Sequence, residues 1–400
     1  MKAYVLHKIG DFRLETVSDP VPKENEVIVA VKAAGICGSD ISRVYQSGTY
    51  SYPLIPGHEF AGEVAELGAG VDASWKNRRV GVFPLIPCGV CAPCQKKQYE
   101  MCRNYGYLGS RSAGGFAEYV AVPAENLIAL PDEVSYEAAA MLEPMAVAVH
   151  SMRRIEPKQN EKIVVCGLGT IGMFLVMFLR EAGMEQIFTI GNKEFQKQIV
   201  TRMGISSDQY YDSKQQNGDE WLKEQTGGLG ADVFFECVGK EDTFAQAIGN
   251  AAPAGRVMAV GNPASDMGLN RNTYWKILRN QLTVMGTWNS SFTHDLEDDW
   301  HYVLKRLKEG RIRPEEMISH RLPFDRLEEG FHIMRDKTED YGKVMGEMEV
   351  FVMISFAFWS ISEFFCSILR YSIRSSSGIL DRIQSSLVKS STSFRRRKKS

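Results

Sequence analysis

The chain has 400 residues, of which 44% are hydrophobic, and its formal net charge at pH 7 is −2. This length and composition indicate a globular protein of two or three domains, and the near-neutral charge argues against nucleic acid as a partner. Eight cysteines are too few for a secreted disulfide scaffold, and the first residues do not resemble a signal peptide, so we expect a cytoplasmic protein.

The first 130 residues contain short segments of alternating or β-branched residues separated by Gly and Pro. These segments are residues 26–32, 63–67 and 115–122. Such a pattern is typical of strands, and its frequent turns predict an antiparallel, barrel-like region.

Two short motifs in this region offer ligands of the kinds that Zn²⁺ prefers. A Gly-x-Cys-Gly-Ser-Asp sequence contains Cys37 and Ser39, and a Gly-His-Glu sequence contains His58 and Glu59. A catalytic zinc binds thiolate, imidazole or carboxylate groups and keeps one position for water or substrate. Each residue also has an ordinary interpretation, since a single cysteine is commonly a core residue and a His-Glu pair is commonly at the surface.

A cysteine-rich segment follows, with the spacing C-x2-C-x2-C-x7-C. Its members are Cys88, Cys91, Cys94 and Cys102. Four thiolates at these short spacings predict a closed, structural zinc site. Two alternatives are a pair of disulfides, which a reducing cytosol disfavours, and an iron–sulfur cluster.

A third ligand for the catalytic metal is expected further along the chain. Glu143 is a lone acid within the apolar stretch 138–149. A buried carboxylate in such surroundings is costly unless it is paired or bound to a metal. Glu143 is therefore the leading candidate.

From about residue 161 the pattern changes to apolar strands that alternate with helical stretches. The expected strands are residues 162–166, 186–190, 231–237, 255–260 and 282–285. Alternation of this kind predicts a parallel, doubly wound sheet.

The first of these strands leads into a G-x-G-x-x-G turn and a helix. We expect the turn to bind the pyrophosphate of a dinucleotide through Gly167, Gly169, Thr170, Ile171 and Gly172. The strand before it and the helix after it, from about residue 171 to 182, are the context that this motif requires.

The cofactor is expected to be NADP(H) in preference to NAD(H). An NAD site usually has an acidic residue at the end of the second strand, but this chain has Gly191, Asn192 and Lys193 there. Lys193 could neutralise a 2′-phosphate. The nicotinamide is expected at the carboxyl ends of the later strands, near Val238, Val260, Gly261 and Gly286.

Taken in order, these motifs resemble the zinc-dependent medium-chain alcohol and polyol dehydrogenases from Met1 to about Met348. The resemblance implies an α/β fold. Residues 1–148 and 289–349 would form a GroES-like catalytic domain, and residues 149–288 would form a Rossmann nucleotide-binding domain. Homodimers or homotetramers are common in that family.

The resemblance also implies roles for individual residues. Cys37, His58 and Glu143 would bind the catalytic zinc, and Glu59 would bind it or contact one of its ligands. Ser39 would relay the substrate proton. Glu143 in place of a cysteine resembles the polyol branch. Many family members have a histidine for the relay where this chain has Ser42.

Within that family, the chain has looser similarities to dehydrogenases that act on polyol phosphates. They imply a polyol phosphate, such as galactitol 1-phosphate, as the substrate. They lie in residues 107–111, 114–119 and 275–291. Candidate substrate contacts are Arg111, Arg43, Lys276 and Asn289, although each cation is as readily an ordinary surface residue. The alternative substrate is an unphosphorylated polyol such as sorbitol, or another secondary alcohol.

The last residues do not fit this architecture. Residues 350–369 are mainly apolar and contain one acid, and the chain ends in a basic run, residues 395–399. The length could just span a bilayer, but Glu363 at its centre would cost about 2.5 kcal/mol or more. We expect instead a membrane-surface helix or an extension outside the fold. A non-catalytic nucleotide-binding protein and a membrane-attached protein are the other classes considered.

Overall fold

A computed structural model describes residues 1–215 and 217–348. The predictions for residues 350–400 lie outside the described residues. Within the described ranges, no helix has the length and apolar character needed to cross a membrane.

The strands and helices alternate in the manner expected from the sequence. The strands are β1 Lys2–Lys8, β2 Asp11–Thr16, β3 Glu26–Ile36, β4 Glu59–Leu67, β5 Arg79–Val82, β6 Leu85–Ile86, β7 Gly106–Tyr107, β8 Tyr119–Pro123, β9 Leu127–Ala129, β10 Ile163–Cys166, β11 Ile187–Gly191, β12 Tyr210–Asp212, β13 Ala231–Glu236, β14 Ala251–Ala259, β15 Thr283–Gly286, β16 Ile318–Pro323 and β17 Lys343–Glu347. The α-helices are α1 Gly38–Ser42, α2 Ala92–Gln95, α3 Tyr136–Ala140, α4 Leu142–Ile155, α5 Thr170–Glu181, α6 Glu194–Arg202, α7 Gly218–Gln225, α8 Glu241–Asn250, α9 Arg271–Arg279, α10 Asp299–Lys308 and α11 Leu327–Asp336.

Six strands form a parallel sheet in the order β12-β11-β10-β13-β14-β15. This is the order 3-2-1-4-5-6 of a dinucleotide-binding fold, in which the sequence reverses direction between the first and fourth strands. The central strand β10 is wholly buried, as a near-continuous apolar sequence predicts. The carboxyl ends of β10 and β13 therefore open a crevice at this reversal.

The antiparallel region is built around the long strand β3. The larger sheet has the order β16-β17-β3-β4-β5-β9, and β8 also pairs with β3. In this sheet Gly35 of β3 lies opposite Glu59 of β4, and Ile36 lies opposite Val344 of β17. The predicted fold class, a GroES-like region joined to a Rossmann sheet, is confirmed.

Some elements differ in extent from the sequence-based expectation. The strand expected from residue 115 begins only at Tyr119, because residues 114–116 donate backbone hydrogen bonds to the irregular segment 55–57 instead. Strand β14 begins earlier than expected, at Ala251. The proposed domain boundary at residue 148 falls within α4, and the domain limits stay a prediction.

Candidate active site

Three strand ends converge on one buried point of the antiparallel sheet. Cys37 follows β3, His58 and Glu59 stand where β4 begins, and Lys343 begins β17. Among the described residues, one group of possible metal ligands here has donor atoms within 4.8 Å of one another, namely Cys37, His58 and Glu59. We call this group the strand-end cluster.

Gly35 explains how the three strands come so close. A Cβ atom at this position would collide with the carboxylate of Glu59 and would lie 2.6 Å from Cε of Lys343. Only glycine leaves room for both side chains on that face of β3. The glycine of the Gly-x-Cys motif is thus a packing requirement of the cluster.

Asp40 orients the imidazole of the strand-end cluster. Its Oδ1 lies 3.3 Å from His58 Nδ1 and accepts a 2.7 Å hydrogen bond from Arg43, and its Oδ2 accepts one from the Cys37 amide. Burial would raise the pKa of Asp40, but His58 and Arg43 outweigh it and lower that pKa. Burial would lower the pKa of His58, but Asp40 and Cys37 raise it well above its usual value. A carboxylate behind a metal-binding imidazole fixes its tautomer and orientation.

Glu59 and Lys343 form a buried ion pair at the same point. Lys343 is 1% exposed and Glu59 is 2% exposed, and the ammonium also donates to the Ile36 carbonyl at 3.0 Å. Charges buried this deeply persist only when they are paired and hydrogen-bonded. Glu59 is therefore held by the last strand of the region.

Glu143 lies in the first turn of α4 and is buried. It is outside the group of donor atoms defined above, and its Oε1 accepts a 3.1 Å hydrogen bond from the Tyr107 hydroxyl. That hydroxyl is also 3.2 Å from Asn289 Oδ1, and the Tyr107 ring lies 5.8 Å from that of His58. Burial raises the pKa of Glu143 to about 7, and it also raises the pKa of Tyr107.

Ser39 is the residue that the family resemblance predicts as the proton relay. Ser39 is exposed in α1, two residues after Cys37. Ser42, at the position where many relatives have a histidine, is half-buried and lies 3.2 Å from Ser47, hydroxyl to hydroxyl.

The cysteine-rich segment forms a separate group, which we call the cysteine lobe, residues 88–102. The four sulfur atoms lie within 4.8 Å of one another, with separations of 3.4 Å for Cys91 to Cys94 and 4.0 Å for Cys88 to Cys94. Tetrahedral zinc with 2.3 Å bonds requires about 3.8 Å between sulfurs. No disulfide joins the cysteines that the structure describes.

The electrostatics of the cysteine lobe favour thiolate at one position. Backbone N–H groups of Arg103 and Cys94 lower the pKa of Cys91 to about 6. Burial and the neighbouring thiols raise the pKa of Cys94 to about 12. A cation would let all four carry negative charge together, so the donor set fits a structural zinc.

A cleft of about 1300 Å³ follows the carboxyl edge of the parallel sheet. We call it the carboxyl-edge cleft. Gly167 has a φ of +95°, and a Cβ at Gly172 would collide with the Gly167 carbonyl, so the turn packs directly on its helix. A Cβ at Gly169, which precedes α5, would meet nothing within 4 Å, and that open space fits a pyrophosphate at the helix N-terminus.

Most of the predicted cofactor residues line this cleft. They are Gly167, Gly169, Thr170, Gly191, Asn192, Lys193 and Val238. Gly261 packs against the Gly239 backbone, so this pair of glycines serves the close approach of two loops. Gly286 is exposed at the end of β15, and its carbonyl accepts a hydrogen bond from Arg154.

The predicted substrate cations lie in different surroundings. Arg111 is exposed and stacks between the rings of Tyr50 and Tyr105, at 4.2 and 4.4 Å from their centroids. Arg43 is bound to Asp40. Lys276 lies on α9 of the nucleotide-binding region, where it donates to the Gly249 carbonyl at 2.6 Å.

Sequence reasoning did not select three residues that contact the cluster, namely Asp40, Tyr107 and Lys343. Asp40 lies inside the motif that contains Cys37, so its position was a usable signal. Tyr107 and Lys343 come from distant parts of the chain, and the pairing of β3 with β17 was needed to place Lys343.

Two family models match the chain. Residues 23–132 match an alcohol dehydrogenase GroES-like domain, and residues 170–309 match a zinc-binding dehydrogenase. Both agree with the predicted family.

Several characterised proteins are similar over most of the chain. Galactitol 1-phosphate 5-dehydrogenase of Escherichia coli K12 is 30% identical, over 81% of this chain and 94% of its own length. L-threonine 3-dehydrogenase of Pyrococcus furiosus is 30% identical over 80% and 91%. Sorbitol dehydrogenase of Halalkalibacterium halodurans is 29% identical over 84% and 96%.

Solved structures give the same picture. The crystal structure of E. coli galactitol-1-phosphate dehydrogenase has a TM-score of 0.81, 29% identity, and covers 87% of this chain and 100% of its own. A Sinorhizobium meliloti zinc-binding dehydrogenase bound to NADP has a TM-score of 0.78 and 26% identity, covering 86% and 98%. An E. coli alcohol dehydrogenase complexed with NADH has a TM-score of 0.79 and 26% identity, covering 87% and 99%.

Proposed function

This chain belongs to the zinc-dependent medium-chain alcohol dehydrogenase family, and we propose that it oxidises a secondary alcohol of a polyol phosphate resembling galactitol 1-phosphate. The observation that carries the proposal is Arg111, an exposed guanidinium held between two tyrosine rings. One of these rings, that of Tyr105, lies 6.2 Å from that of Tyr107, which contacts Glu143. The cation is therefore linked by packing to the metal-binding region.

The metal ligands of the proposed active site are Cys37, His58 and Glu143. Glu59 already pairs with Lys343, whereas Glu143 accepts its hydrogen bond from a neutral group, the Tyr107 hydroxyl. Glu143 is thus the carboxylate that a cation would engage at lower cost. Thiolate, imidazole and carboxylate together are a zinc donor set. Zinc bound there would supply Lewis acidity, which lowers the pKa of an alcohol.

The remaining side chains position the substrate and its proton. Ser39, exposed beside Cys37, would accept the alcohol proton and pass it to solvent. Tyr107 and Asn289 form a polar pair beside Glu143, where they could bind further hydroxyls of a polyol. No histidine stands at Ser42, so the proton path would run through Ser39 and water.

A nicotinamide nucleotide would lie in the carboxyl-edge cleft. When bound it would accept the hydride. The glycine turn at residues 167–172 would hold its pyrophosphate, and Val238 would line the path toward the nicotinamide end. We infer a preference for NADP(H), because Lys193 follows β11 and residues 190–193 contain no acid.

Among the predicted cations, the surroundings favour Arg111 for the phosphate. The guanidinium of Arg43 already serves Asp40, and Lys276 lies on α9 with its ammonium on a backbone carbonyl. Arg111 has cation–π contacts and one 3.3 Å hydrogen bond to Tyr50, which leave other N–H donors for an anion. A planar guanidinium suits two phosphate oxygens.

The test is a turnover screen of polyols and polyol phosphates with both cofactors, with and without a chelator. We expect the highest kcat/KM on a phosphorylated polyol, and loss of activity on chelation. Arg111→Ala should reduce kcat/KM for the phosphate substrate by about 10-fold to 100-fold and leave the free polyol nearly unchanged, whereas Arg111→Lys should retain part of it.

Arg103→Ala, which removes an exposed cation directly after the cysteine lobe, is the matched control and should change kcat/KM for neither substrate. An unchanged phosphate preference in Arg111→Ala would contradict this assignment. The second candidate function is oxidation of an unphosphorylated polyol, which the similarity to sorbitol dehydrogenase favours. A higher kcat/KM on free polyols would support it.

We further infer a homodimer or a homotetramer in the cytoplasm. Strand β15 lies at the edge of the parallel sheet. Exposed apolar side chains are Val284 on this strand, Trp288 just after it, and Trp275 and Leu278 on the preceding helix α9. An open edge with apolar side chains is suited to pairing with a second copy. Val284→Arg should shift the mass measured by sedimentation toward the monomer, whereas Val21→Arg at another exposed site should not.

The cytoplasmic location is proposed separately. The described cysteines are free thiols, which agrees with a reducing compartment.

A further inference from the structure

The segment between α11 and β17 contacts the loop that reads the ribose in a dinucleotide fold. Lys193 follows β11, where such folds place the residue that recognises the 2′ position of the adenosine ribose. Its Nζ lies 3.7 Å from Asp340 Oδ1 and 4.5 Å from the centroid of the Tyr341 ring. Lys193 therefore faces a carboxylate that its own sheet does not supply.

This contact is built into the packing of the two regions. The backbone at Gly342 approaches Phe195 of α6 so closely that a Cβ would lie 2.7 Å from that ring. The Gly342 amide also donates to Ser319 at 3.0 Å. The segment is thus packed against α6, and this packing places Asp340 next to Lys193.

Asp340 and Lys193 both line the carboxyl-edge cleft together with the glycine turn. Their side chains are 53% and 25% exposed, so the ion pair is at the surface of the cleft and is weak. A phosphate dianion could displace the carboxylate, but it would do so against the charge of Asp340. A ribose 2′-hydroxyl carries no such penalty, and it could donate to that carboxylate.

We propose that Asp340 is a specificity-determining residue for the nucleotide, which opposes a 2′-phosphate by neutralising Lys193 and by placing a carboxylate beside the 2′ position. The proposal rests on the proposed binding of NAD(P) in this cleft. Lys193 and Asp340 then act in opposite directions, and the preference for NADP(H) is smaller than the sequence of the β11 loop implies.

The test uses two fragments, 2′,5′-ADP and 5′-AMP, and measures their dissociation constants by calorimetry without substrate or turnover. Asp340→Asn should tighten 2′,5′-ADP about threefold to tenfold and leave 5′-AMP within about twofold. Lys193→Met should weaken 2′,5′-ADP to near the affinity of 5′-AMP. When Lys193→Met is already present, adding Asp340→Asn should change the affinity for 2′,5′-ADP less than it does in the wild type, because the main partner of Asp340 is absent.

Asp336→Asn is the matched control, since Asp336 is an exposed carboxylate at the end of α11, just before this segment, and pairs with Arg335. It should change neither fragment. An unchanged ratio of the two affinities in Asp340→Asn would overturn the role of Asp340 while leaving the nucleotide site intact. Failure of the wild-type chain to bind either fragment would overturn both this role and the proposed cofactor.

Discussion

In the cysteine lobe all four thiols come from one continuous segment, residues 88–102, and backbone N–H groups of Arg103 and Cys94 lower the pKa of Cys91. The strand-end cluster draws its side chains from the ends of β3 and β4, and the lysine that holds it lies 284 positions from Glu59. The first group depends on local turns and the second on the pairing of three strands. Loss of a thiol from the cysteine lobe should therefore destabilise local structure. Loss of a ligand from the strand-end cluster should instead reduce activity.

The sharpest test of this contrast is Cys37→Ser. The cluster should lose its zinc, and kcat/KM should fall by at least about 1000-fold, because Lewis-acid stabilisation contributes several kcal/mol. The melting temperature should change little, since strand pairing rather than the metal holds the cluster. Metal analysis should give two zinc ions per chain for the wild type and one for the variant. Retention of both ions and of activity would mean that the catalytic metal lies elsewhere.

The same substitution in the other group, Cys91→Ser, should have the reverse pattern. The lobe loses its cation and the thiolate that backbone N–H groups stabilise, so we expect a loss of roughly 2–5 kcal/mol in the free energy of unfolding. Metal analysis should again give one ion per chain, and amide exchange should increase within residues 85–107. At low temperature kcat/KM should stay within about threefold of the wild type. A loss of activity as large as that of Cys37→Ser would remove the distinction between the two groups.

The contrast also explains what the sequence could predict. Spacing alone located the cysteine lobe, because its ligands are neighbours in the chain, and alternation of strands and helices located the parallel sheet. The motifs around Cys37 and His58 indicated ligand types, and the family resemblance implied one shared metal site, but neither showed which strand ends bring these residues together. The role of Lys343 could not be predicted, since it depends on the pairing of β17 with β3. The role of Asp340 could not be predicted either, because its partner Lys193 lies far away in the chain, after a strand of the other sheet.

A smaller effect is expected where a side chain acts through a ligand. Asp40→Asn removes the charge behind His58 and weakens the bond to Arg43, and such changes cost about 10-fold to 100-fold in metal affinity or activity. Zinc affinity from chelator competition and kcat/KM should fall together. Asp72→Asn, at an exposed helix cap of the same region, should alter neither. Unchanged zinc affinity in Asp40→Asn would show that strand pairing alone fixes the imidazole.

The smallest effect concerns Asp299, which belongs to neither group. Asp299 accepts hydrogen bonds from the Ser291 amide and hydroxyl, each at 2.8 Å, and pairs with His150 of α4 at 2.7 Å. It thereby ties the segment that contains Asn289 to the helix that begins beside Glu143. Burial would raise the pKa of Asp299, but His150 and Ser291 outweigh it and lower that pKa below its usual value.

A carboxyl group with a lowered pKa stabilises the fold above its unfolded pKa of about 3.9, and this contribution is lost as the pH falls through the folded value. Asp299→Asn should therefore cost about 1–3 kcal/mol at pH 7, and the difference from wild type should shrink below about pH 4. Denaturant unfolding at pH 7 and well below pH 4, where the folded carboxyl is also protonated, measures it, with Glu329→Gln as the exposed control. Because Asp299 ties the segment of Asn289 to α4, Asp299→Asn should also lower kcat/KM severalfold. The metal content of the cysteine lobe should stay unchanged. An equal effect at both pH values would show that packing, and not the charge of Asp299, holds this segment.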